Sequence, residues 1–387
     1  MVTLQTADGA LKSFYLDALK REIDDKVSPF LAQIEKTTAN VAGKSVRKLV
    51  KTGIYGGVGA GTETGDLPTG DSSDIITLTA PLKNLYGTIE ISDKAIRASA
   101  SNEGAFVNLL NEEMQGLVKS AKYNFSRMLF GDGNGYLARV TSTNGRSVLY
   151  LDTMKAIEEG MYIDIYDMGK KIVNKAKIAF IDKVENRVEL FGMHWDEDDA
   201  PGDQAEVYIH GAEEGYELTG LGALFSDREI YEMDRGKEYM RPYIMQDVGY
   251  IDLGTLEEAI DSVEERGGSK VNFIFCSWKV KRCIMQLARE NNVQLTTKVL
   301  SDNSVVSCYN GIPLVADRFC PEGVIYLLNT DDFKICQLCD WQWMEGEDGK
   351  ILKQVPGKPV YTATLVKYAE LVCEKPCGQG MLAGITV

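Results

Sequence analysis

Histidine is almost absent from this 387-residue chain, which contains only His194 and His210. Histidine is the commonest general base in enzymes and a frequent metal ligand, so its scarcity removes many familiar catalytic sites. The nucleophile motif Gly-x-Ser-x-Gly and the zinc motif His-Glu-x-x-His are missing as well. No motif marks a nucleophile and an orienting acid around either histidine, and we expect both side chains to be solvated. The sequence therefore predicts no catalytic site, no cofactor and no enzymatic activity.

Long apolar runs and an excess of positive charge are also absent. No apolar run approaches the ~20 residues that span a bilayer, and the N-terminus lacks the pattern of a signal peptide, so we expect no membrane association. The net charge of −15 argues against a free-standing nucleic-acid binder, because such proteins are usually basic. Ten acidic residues and no Lys or Arg lie between Glu189 and Glu217. The first 51 residues have a net charge of +3, and their basic side chains cluster at Lys44, Arg47, Lys48 and Lys51.

All eight cysteines lie in the C-terminal third, between Cys276 and Cys377. Without a signal peptide, we expect reduced thiols. The spacings Cys336-x-x-Cys339 and Cys373-x-x-x-Cys377 resemble half-sites for zinc. Cys336 and Cys373, however, fall inside strand-like apolar runs, where cysteine behaves as a small core residue. The sequence favours the core role and leaves the metal site open.

The stretch from Glu103 to Phe130 predicts one long amphipathic helix that organises the chain. Ser101 and Asn102 offer N-cap oxygens, and a Gly-rich segment from Gly131 ends the helix. At ~1.5 Å per residue the helix is roughly 40 Å long, which indicates a spine. Its apolar residues recur at steps of three and four: Phe106, Leu109, Leu110, Met114, Leu117, Val118, Ala121, Phe125, Met128 and Leu129.

Residues 9–36 predict a first amphipathic helix, interrupted by Pro29, that forms an arm lying on another surface. The next segment is rich in glycine, with seven Gly between Gly53 and Gly70 and no Lys or Arg from residue 52 to 82. A phosphate-binding loop is excluded, because no Gly-x-Gly-x-x-Gly or Gly-Lys-Ser/Thr motif fits. We expect an extended hairpin, with a rim from Ile75 to Ile91, that packs on a neighbouring subunit. The candidate contact residues are Gly56, Gly57, Gly59, Gly61, Asp66, Leu67 and Pro68.

Residues 136–215 predict a small β-barrel or sandwich inserted into another domain, because short strands alternate with turn signals. The acidic loop 196–199 lacks the spacing of an EF-hand and is expected to be solvated. The predicted strands are Val148–Leu151, Met161–Tyr166, Ile178–Ile181, Val188–Phe191 and Val207–Ile209.

The remainder alternates helix and strand. Thr255 to Glu258 reads as a capping box that opens a helix closed by Gly267 and Gly268, and Ser277 caps a second helix. Two long strands, Phe333–Met344 and Val360–Cys373, predict a ribbon long enough to lie beside the spine. The shorter predicted strands are Val271–Phe275, Ile312–Ala316 and Val324–Leu328.

The order of these segments resembles the major capsid protein of tailed bacteriophages, which has the Hong Kong 97-like fold. Residues 85–95 (Leu-Tyr-Gly-Thr-Ile-Glu-Ile-Ser-Asp-Lys-Ala) resemble the return strand of that family's extended loop. Residues 216–221 (Tyr-Glu-Leu-Thr-Gly-Leu) resemble the return from an inserted domain. Residues 309–317 and 323–329 resemble the strand pair of the axial domain.

The resemblance implies an α+β fold with an N-terminal arm, an extended loop, a spine helix, an inserted small β-barrel domain and an axial domain. It also implies self-assembly into hexamers and pentamers that form an icosahedral virion shell around double-stranded DNA, after synthesis in the host cytoplasm. The expected divisions are 1–52 arm, 53–92 extended loop, 93–135 peripheral domain with the spine, 136–215 inserted domain, 216–332 axial domain, and 333–387 peripheral ribbon and C-terminal return.

The partners that the resemblance implies are further copies of the chain, a portal, possible decoration proteins and the packaged DNA. The extended loop begins near residue 53, which leaves no room for a built-in scaffolding segment and implies a separate scaffold protein. Some relatives join subunits through a loop Lys, which this loop lacks, so that covalent link is not expected. An inner-face basic cluster of Lys44, Arg47, Lys48 and Lys51 would make weak, salt-sensitive contacts with DNA or subunits.

Three alternatives remain open at this stage. An encapsulin uses the same fold as a cargo compartment, but such shells are generally more compact and lack a β domain inserted after the spine. A soluble enzyme with a thiol metal site would use the four cysteines Cys336, Cys339, Cys373 and Cys377. A phage decoration or tail component would not form closed shells alone.

Overall fold

A computed structural model describes residues 28–53, 57–66, 70, 74–94, 103–144, 147–193, 195, 200–212, 215–300 and 304–386. Its helices are α1 (Glu103–Phe130), α2 (Leu221–Leu224), α3 (Leu253–Gly267) and α4 (Trp278–Glu290). Its strands are β1 (Glu35–Thr37), β2 (Val41–Ala42), β3 (Ser45–Thr52), β4 (Asp74–Pro81), β5 (Lys83–Ser92), β6 (Tyr136–Asn144), β7 (Val148–Leu151), β8 (Tyr162–Asp167), β9 (Lys170–Asp182), β10 (Arg187–Leu190), β11 (Glu206–Ile209), β12 (Tyr243–Met245), β13 (Gly249–Tyr250), β14 (Phe273–Cys276), β15 (Thr296–Val299), β16 (Val305–Tyr309), β17 (Ile312–Ala316), β18 (Ile325–Leu328), β19 (Phe333–Trp343), β20 (Lys353–Gln354), β21 (Val360–Cys373), β22 (Gly380–Leu382) and β23 (Ile385–Thr386).

The spine helix α1 is confirmed with the predicted bounds. Its apolar stripe is buried from Met114 onward, and the chain turns at Gly131, whose N–H donates to the Met128 carbonyl at 3.1 Å. The proposed cap residues 101–102 lie outside the described residues. None of the described helices combines the length and apolar character needed to cross a lipid bilayer.

The predicted ribbon is confirmed and packs against α1. Strands β19 and β21 pair antiparallel, β5 pairs with the other edge of β21, and β1 adds to β19 in parallel. The ring centroids of Phe125 on α1 and Trp341 on β19 lie 6.4 Å apart. Gly87 on β5 lies directly under Leu117, because a Cβ built at Gly87 would be 2.7 Å from the Leu117 Cδ1. The helix and the sheet therefore share one core.

The inserted segment forms a closed six-stranded barrel in the order β10-β7-β6-β11-β8-β9. This confirms the predicted small barrel, although β6 was not predicted and β9 extends well beyond the predicted Ile178–Ile181. Both strands mix polar and apolar residues, which weakens the sequence signal. The barrel has its own apolar core, separate from the one around α1.

A seven-stranded mixed sheet, called the axial sheet below, runs in the order β12-β22-β18-β14-β17-β16-β15. One face packs on the core around α1, and the other is covered by α3 and α4. Ser277 caps α4 as predicted. The predicted capping box is wrong, because α3 begins at Leu253 and its N-cap Asp252 accepts a hydrogen bond from the Thr255 N–H at 2.7 Å.

Two predictions near the N-terminus need correction. Residues 9–27 lie outside the described residues, but the predicted helix does not continue to residue 36, because Leu31–Gln33 is a single 3-10 turn and Glu35–Thr37 is strand β1. Phe30 is fully buried, with its ring 5.3–5.9 Å from those of Phe130, Phe275 and Phe333.

The predicted rim of the hairpin, Ile75–Ile91, is two strands with different partners. Strand β4 pairs with β3, whereas β5 pairs with β21.

The chain returns from the barrel through Gly220, which lies against the last turn of α1. A Cβ at Gly220 would be 2.3 Å from the Met128 carbonyl oxygen and 2.7 Å from that of Leu129. Both contacts are with backbone, so no side-chain rotation relieves them. This close approach gives a physical reason for the glycine in the segment 216–221.

We predict that Gly220→Ala destabilises the unassembled chain by more than about 2 kcal/mol, because the added methyl group forces α1 and the return segment apart. The matched control is Gly116→Ala in the exposed middle of α1, where an added Cβ meets nothing within 4 Å. This control should stabilise the chain by roughly 0.5–1 kcal/mol through helix propensity. Urea unfolding followed by tryptophan fluorescence checks both values, and equal effects of the two substitutions would contradict the prediction.

Candidate inter-subunit interface

An extended hairpin is present, but it consists of β3 and β4, paired in register from Ser45–Pro81 to Thr52–Asp74, so its first strand comes from the predicted arm. Its base is anchored in the core around α1 by the buried side chains of Val46, Leu78 and Ala80. The Thr79 N–H also donates to the Tyr231 carbonyl at 3.2 Å. The hairpin is thus fixed at one end by ordinary core packing.

The outer face of this hairpin carries two exposed apolar side chains. Leu49 is 69% exposed and Ile75 is 55% exposed. The register places Leu49 opposite Thr77 and Lys51 opposite Ile75, so Leu49 and Ile75 are diagonal neighbours on one face. Large apolar side chains grouped on a projecting ribbon are typical of a surface that another chain covers.

The predicted basic cluster is divided between the two faces of the hairpin. Lys44 is exposed in the turn before β3, and Arg47 and Lys51 are exposed on the same face as Leu49. Lys48 lies on the opposite face, half-buried, in an ion pair with Glu374. The cluster therefore does not form one continuous cationic patch, and its contacts with DNA or subunits stay a prediction.

Part of the glycine-rich segment between β3 and β4 is described. Gly59, Gly61 and Asp66 are exposed, and Gly57 is half-exposed. The adjacent Val58 is 85% exposed. The other candidate contact residues, Gly56, Leu67 and Pro68, lie outside the described residues. The inter-subunit role of all seven stays a prediction.

A buried polar junction lies at the foot of the hairpin. Lys83, at the start of β5, donates from Nζ to the Gly215 carbonyl at 2.6 Å and lies 3.7 Å from a carboxylate oxygen of Glu370. Glu370 on β21 is completely buried and accepts hydrogen bonds from the Thr219 N–H at 2.8 Å and the Leu371 N–H at 2.9 Å. Burial raises the pKa of Glu370 to about 7, although Lys83 and these N–H groups oppose the rise.

A second buried pair joins α1 to the same return segment. The guanidinium of Arg127 donates from Nη1 to Glu217 Oε2 at 2.9 Å, and Nη2 pairs with the other carboxylate oxygen. Both side chains are almost completely buried. Together with Gly220, these contacts fix where the chain leaves the barrel. An open cavity of about 680 Å³ lies beside the junction, between the start of β5, α1 and the barrel exit.

The four cysteines of the possible zinc site lie on β19, at the end of β21 or shortly after it. Cys336 and Cys373 are buried in β19 and β21, as the core interpretation predicted. Cys339 and Cys377 are half-buried, and the described residues contain no group of three His, Cys, Asp or Glu side chains able to hold a metal ion.

The predicted solvation of histidine is wrong for His210, and His194 lies outside the described residues. The His210 side chain is 32% exposed, and its Nδ1 lies 2.9 Å from the buried carboxylate of Asp164. Burial alone would raise the pKa of Asp164, but hydrogen bonds from the Lys175 N–H, His210 and Lys171 lower it. Asp164 thus acts as a structural acceptor that ties β8 to β9 and to the residues that follow β11.

No protein-family model matches the sequence, and no curated protein is significantly similar to it. Solved structures match along almost the whole chain. A chain of the cyanophage A-1(L) capsid asymmetric unit aligns with a TM-score of 0.55 and 12% identity, covering 93% of both chains. This chain has the Hong Kong 97-like capsid fold.

The holo-SrpI encapsulin of Synechococcus elongatus PCC 7942 aligns at a TM-score of 0.49 and 11% identity, covering 93% of this chain and 89% of the encapsulin chain. A chain of a native GTA particle capsid aligns at a TM-score of 0.46 and 12% identity, covering 94% of this chain and 91% of the GTA capsid chain.

Sequence reasoning missed the buried charges that hold this capsid fold together. Lys367 on β21 is buried, and its Nζ donates to Gln337 Oε1 at 2.7 Å and to Asp340 Oδ1 at 2.6 Å. Burial alone would raise the pKa of Asp340, but Lys367 lowers it. The available signal was the presence of Lys367 and Glu370 inside an otherwise apolar strand, since charged residues are rarely buried unless paired.

We predict that Glu370 makes the stability of the unassembled chain depend on pH. An unfolded Glu ionises near pH 4.5, whereas Glu370 in the folded chain has a pKa of about 7. Between these values the folded state therefore holds more protons than the unfolded state. Stability should therefore fall by about 3 kcal/mol as the pH rises from 4.5 to 7, relative to Glu370→Gln. The Gln side chain can keep the hydrogen bonds to Thr219 and Leu371 while it stays neutral.

Urea unfolding at several pH values between 4.5 and 7.5 measures this difference. The control is Glu90→Gln on β5, whose exposed side chain is solvated in both the folded and the unfolded chain. The control should follow the wild-type pH profile. A constant difference between wild type and Glu370→Gln across this range would contradict the assignment.

Proposed function

We propose that this chain is a major capsid protein whose copies assemble into the hexamers and pentamers of an icosahedral phage head. The observation that carries the proposal is the correspondence of fold over 93% of both chains with the cyanophage capsid chain. The proposed role is structural, as the correspondence with a capsid chain indicates.

The hairpin supplies the physical argument for assembly. A free chain would leave Leu49, Val58 and Ile75 in water on a segment that has little apolar surface of its own. Covering such side chains on a neighbouring copy removes apolar area from water at about 25 cal/mol per Å². The hairpin, with the glycine-rich segment, is accordingly proposed as the extended loop that lies across the adjacent subunit.

We further propose that the shell encloses double-stranded DNA. A chain with a net charge of −15 repels DNA over most of its surface, so the packaged molecule would not adhere tightly. Arg47 and Lys51 would supply weak, salt-dependent phosphate contacts if their face of the hairpin lines the interior. A separate scaffold protein, a portal and assembly in the host cytoplasm belong to the same proposal. The domain divisions given by the resemblance belong to it as well, except that β3 moves from the arm to the extended loop and β5 moves to the peripheral ribbon.

Electron microscopy of the expressed full-length chain tests the assembly. We expect curved particles of megadalton mass tiled by hexameric and pentameric rings. A stable compact monomer at micromolar concentration would overturn the proposal. If closed shells purified from infected or induced cells contain protein cargo and no DNA, the encapsulin-type compartment replaces the phage head.

We predict that Leu49→Ser with Ile75→Ser reduces shell assembly by at least tenfold, because burying each wild-type side chain contributes roughly 1.5–3 kcal/mol. The matched control is Val184→Ser on a barrel turn, where the wild-type side chain is 94% exposed. Sedimentation of assembled particles from free chain measures the effect. Wild-type assembly of the double variant would show that this face of the hairpin is not an interface.

A further inference from the structure

Helix α3 carries an acidic stripe. Glu258, Asp261 and Glu265 are exposed and follow one another at intervals of three and four residues, which places them on one side of the helix. Each step along the helix advances 1.5 Å, so the stripe is roughly 10 Å long. The opposite side of α3 is buried against the axial sheet through Leu256, Ala259, Ile260 and Val263.

Helix α4 carries a basic stripe of similar construction. Lys279, Arg282 and Arg289 are exposed, and Gln286 completes the spacing of three, four and three residues along the same side. This stripe is roughly 15 Å long at the same rise per residue. Val280, Ile284 and Ala288 bury the other side of the helix.

The two stripes belong to one outer layer but are not paired with each other. Both helices cover the same face of the sheet, with α3 packed on β12 and β22 and α4 on β17. No ion pair joins α3 to α4 in the described part of the chain. Lys279 lies close enough to Glu322 to contribute to the lowered pKa of that carboxyl group. Because Glu322 partly balances the charge of Lys279, Arg282 and Arg289 are the main positive charges on the stripe.

We propose that the acidic stripe of α3 on one copy contacts the basic stripe of α4 on the next copy around a capsomer. The proposal rests on the proposed function and identifies the partner of this surface as a second copy of the chain. A head-to-tail contact repeated by rotation closes a ring, and it requires two different, mutually complementary patches on each subunit. An unrelated partner would match only one sign of charge, whereas another copy of the chain supplies both complements.

Charge reversal tests the contact. The base-reversed variant is Arg282→Glu with Arg289→Glu, and the acid-reversed variant is Glu258→Lys with Glu265→Lys. Each turns attraction across the contact into repulsion and should lower the yield of rings roughly tenfold or more at ~0.05 M salt. The loss should shrink near 0.5 M salt because the Debye length shortens. The control is Lys170→Glu with Lys177→Glu on the exposed surface of β9, which changes the net charge as much as the base-reversed variant.

Combining the variants gives the decisive results. A chain carrying all four substitutions exchanges the two patches and should regain wild-type assembly. A mixture of the two double variants should also assemble, because the altered α3 stripe of one variant is complementary to the altered α4 stripe of the other, and their two unaltered stripes are complementary at the next contact. Each variant attracts only the other, so the two must alternate around a ring, which is possible with six subunits but not with five. Mixed hexamers should therefore form, while pentamers stay deficient.

The outcomes separate this proposal from the proposed function. If wild type forms shells and the reversed variants assemble as well as the Lys170→Glu, Lys177→Glu control, the stripe contact is wrong while the capsid function stands. Failure of the four-substitution chain to recover, with its unfolding curve unchanged, would also overturn the contact. If wild type forms no shells, the proposed function itself fails.

Discussion

The buried carboxyl group of Glu370 is the constraint on which the rest of the structure depends. A carboxyl group in a protein interior is tolerated only where hydrogen bonds, helped by an opposite charge when it ionises, replace water. Glu370 obtains these from Thr219, Leu371 and Lys83, which belong to different segments of the chain. The barrel return, the long ribbon and the base of the hairpin must therefore arrive together. Arg127 and Glu217 add a second requirement of the same kind at the end of α1.

A second set of contacts holds the barrel at its other side. Lys155 donates from Nζ to the Cys320 carbonyl at 2.5 Å and pairs with Glu322 at 3.0 Å, while the Tyr123 hydroxyl donates to the Lys155 carbonyl at 3.3 Å. The barrel is thus tied to both α1 and the axial sheet, although its apolar core is separate. The outer face of the hairpin and the outer sides of α3 and α4 remain exposed, which is consistent with the proposed assembly.

Sequence patterns were most informative where one periodicity ran for many residues. The stripe of α1, the apolar run of β21 and the glycines that end α3 predicted bounds that the structure confirms. Local signals were weaker where two of them competed. The capping box predicted from Thr255 to Glu258 was wrong because Asp252, three residues earlier, accepts the hydrogen bond from the Thr255 N–H and starts the helix at Leu253. The helix predicted past Pro29 failed because Phe30 fits between three aromatic rings and the following residues pair with β19.

The sequence by itself determined the spine, the barrel and the ribbon, because each depends on residues close together in the chain and on a repeated spacing. Only the tertiary structure decided which charges are buried and which are exposed. Lys48 and Arg47 are neighbours in the sequence, yet one is paired with Glu374 and the other faces outward. Pairing of charges depends on distances between segments hundreds of residues apart, and those distances exist only once the chain has folded.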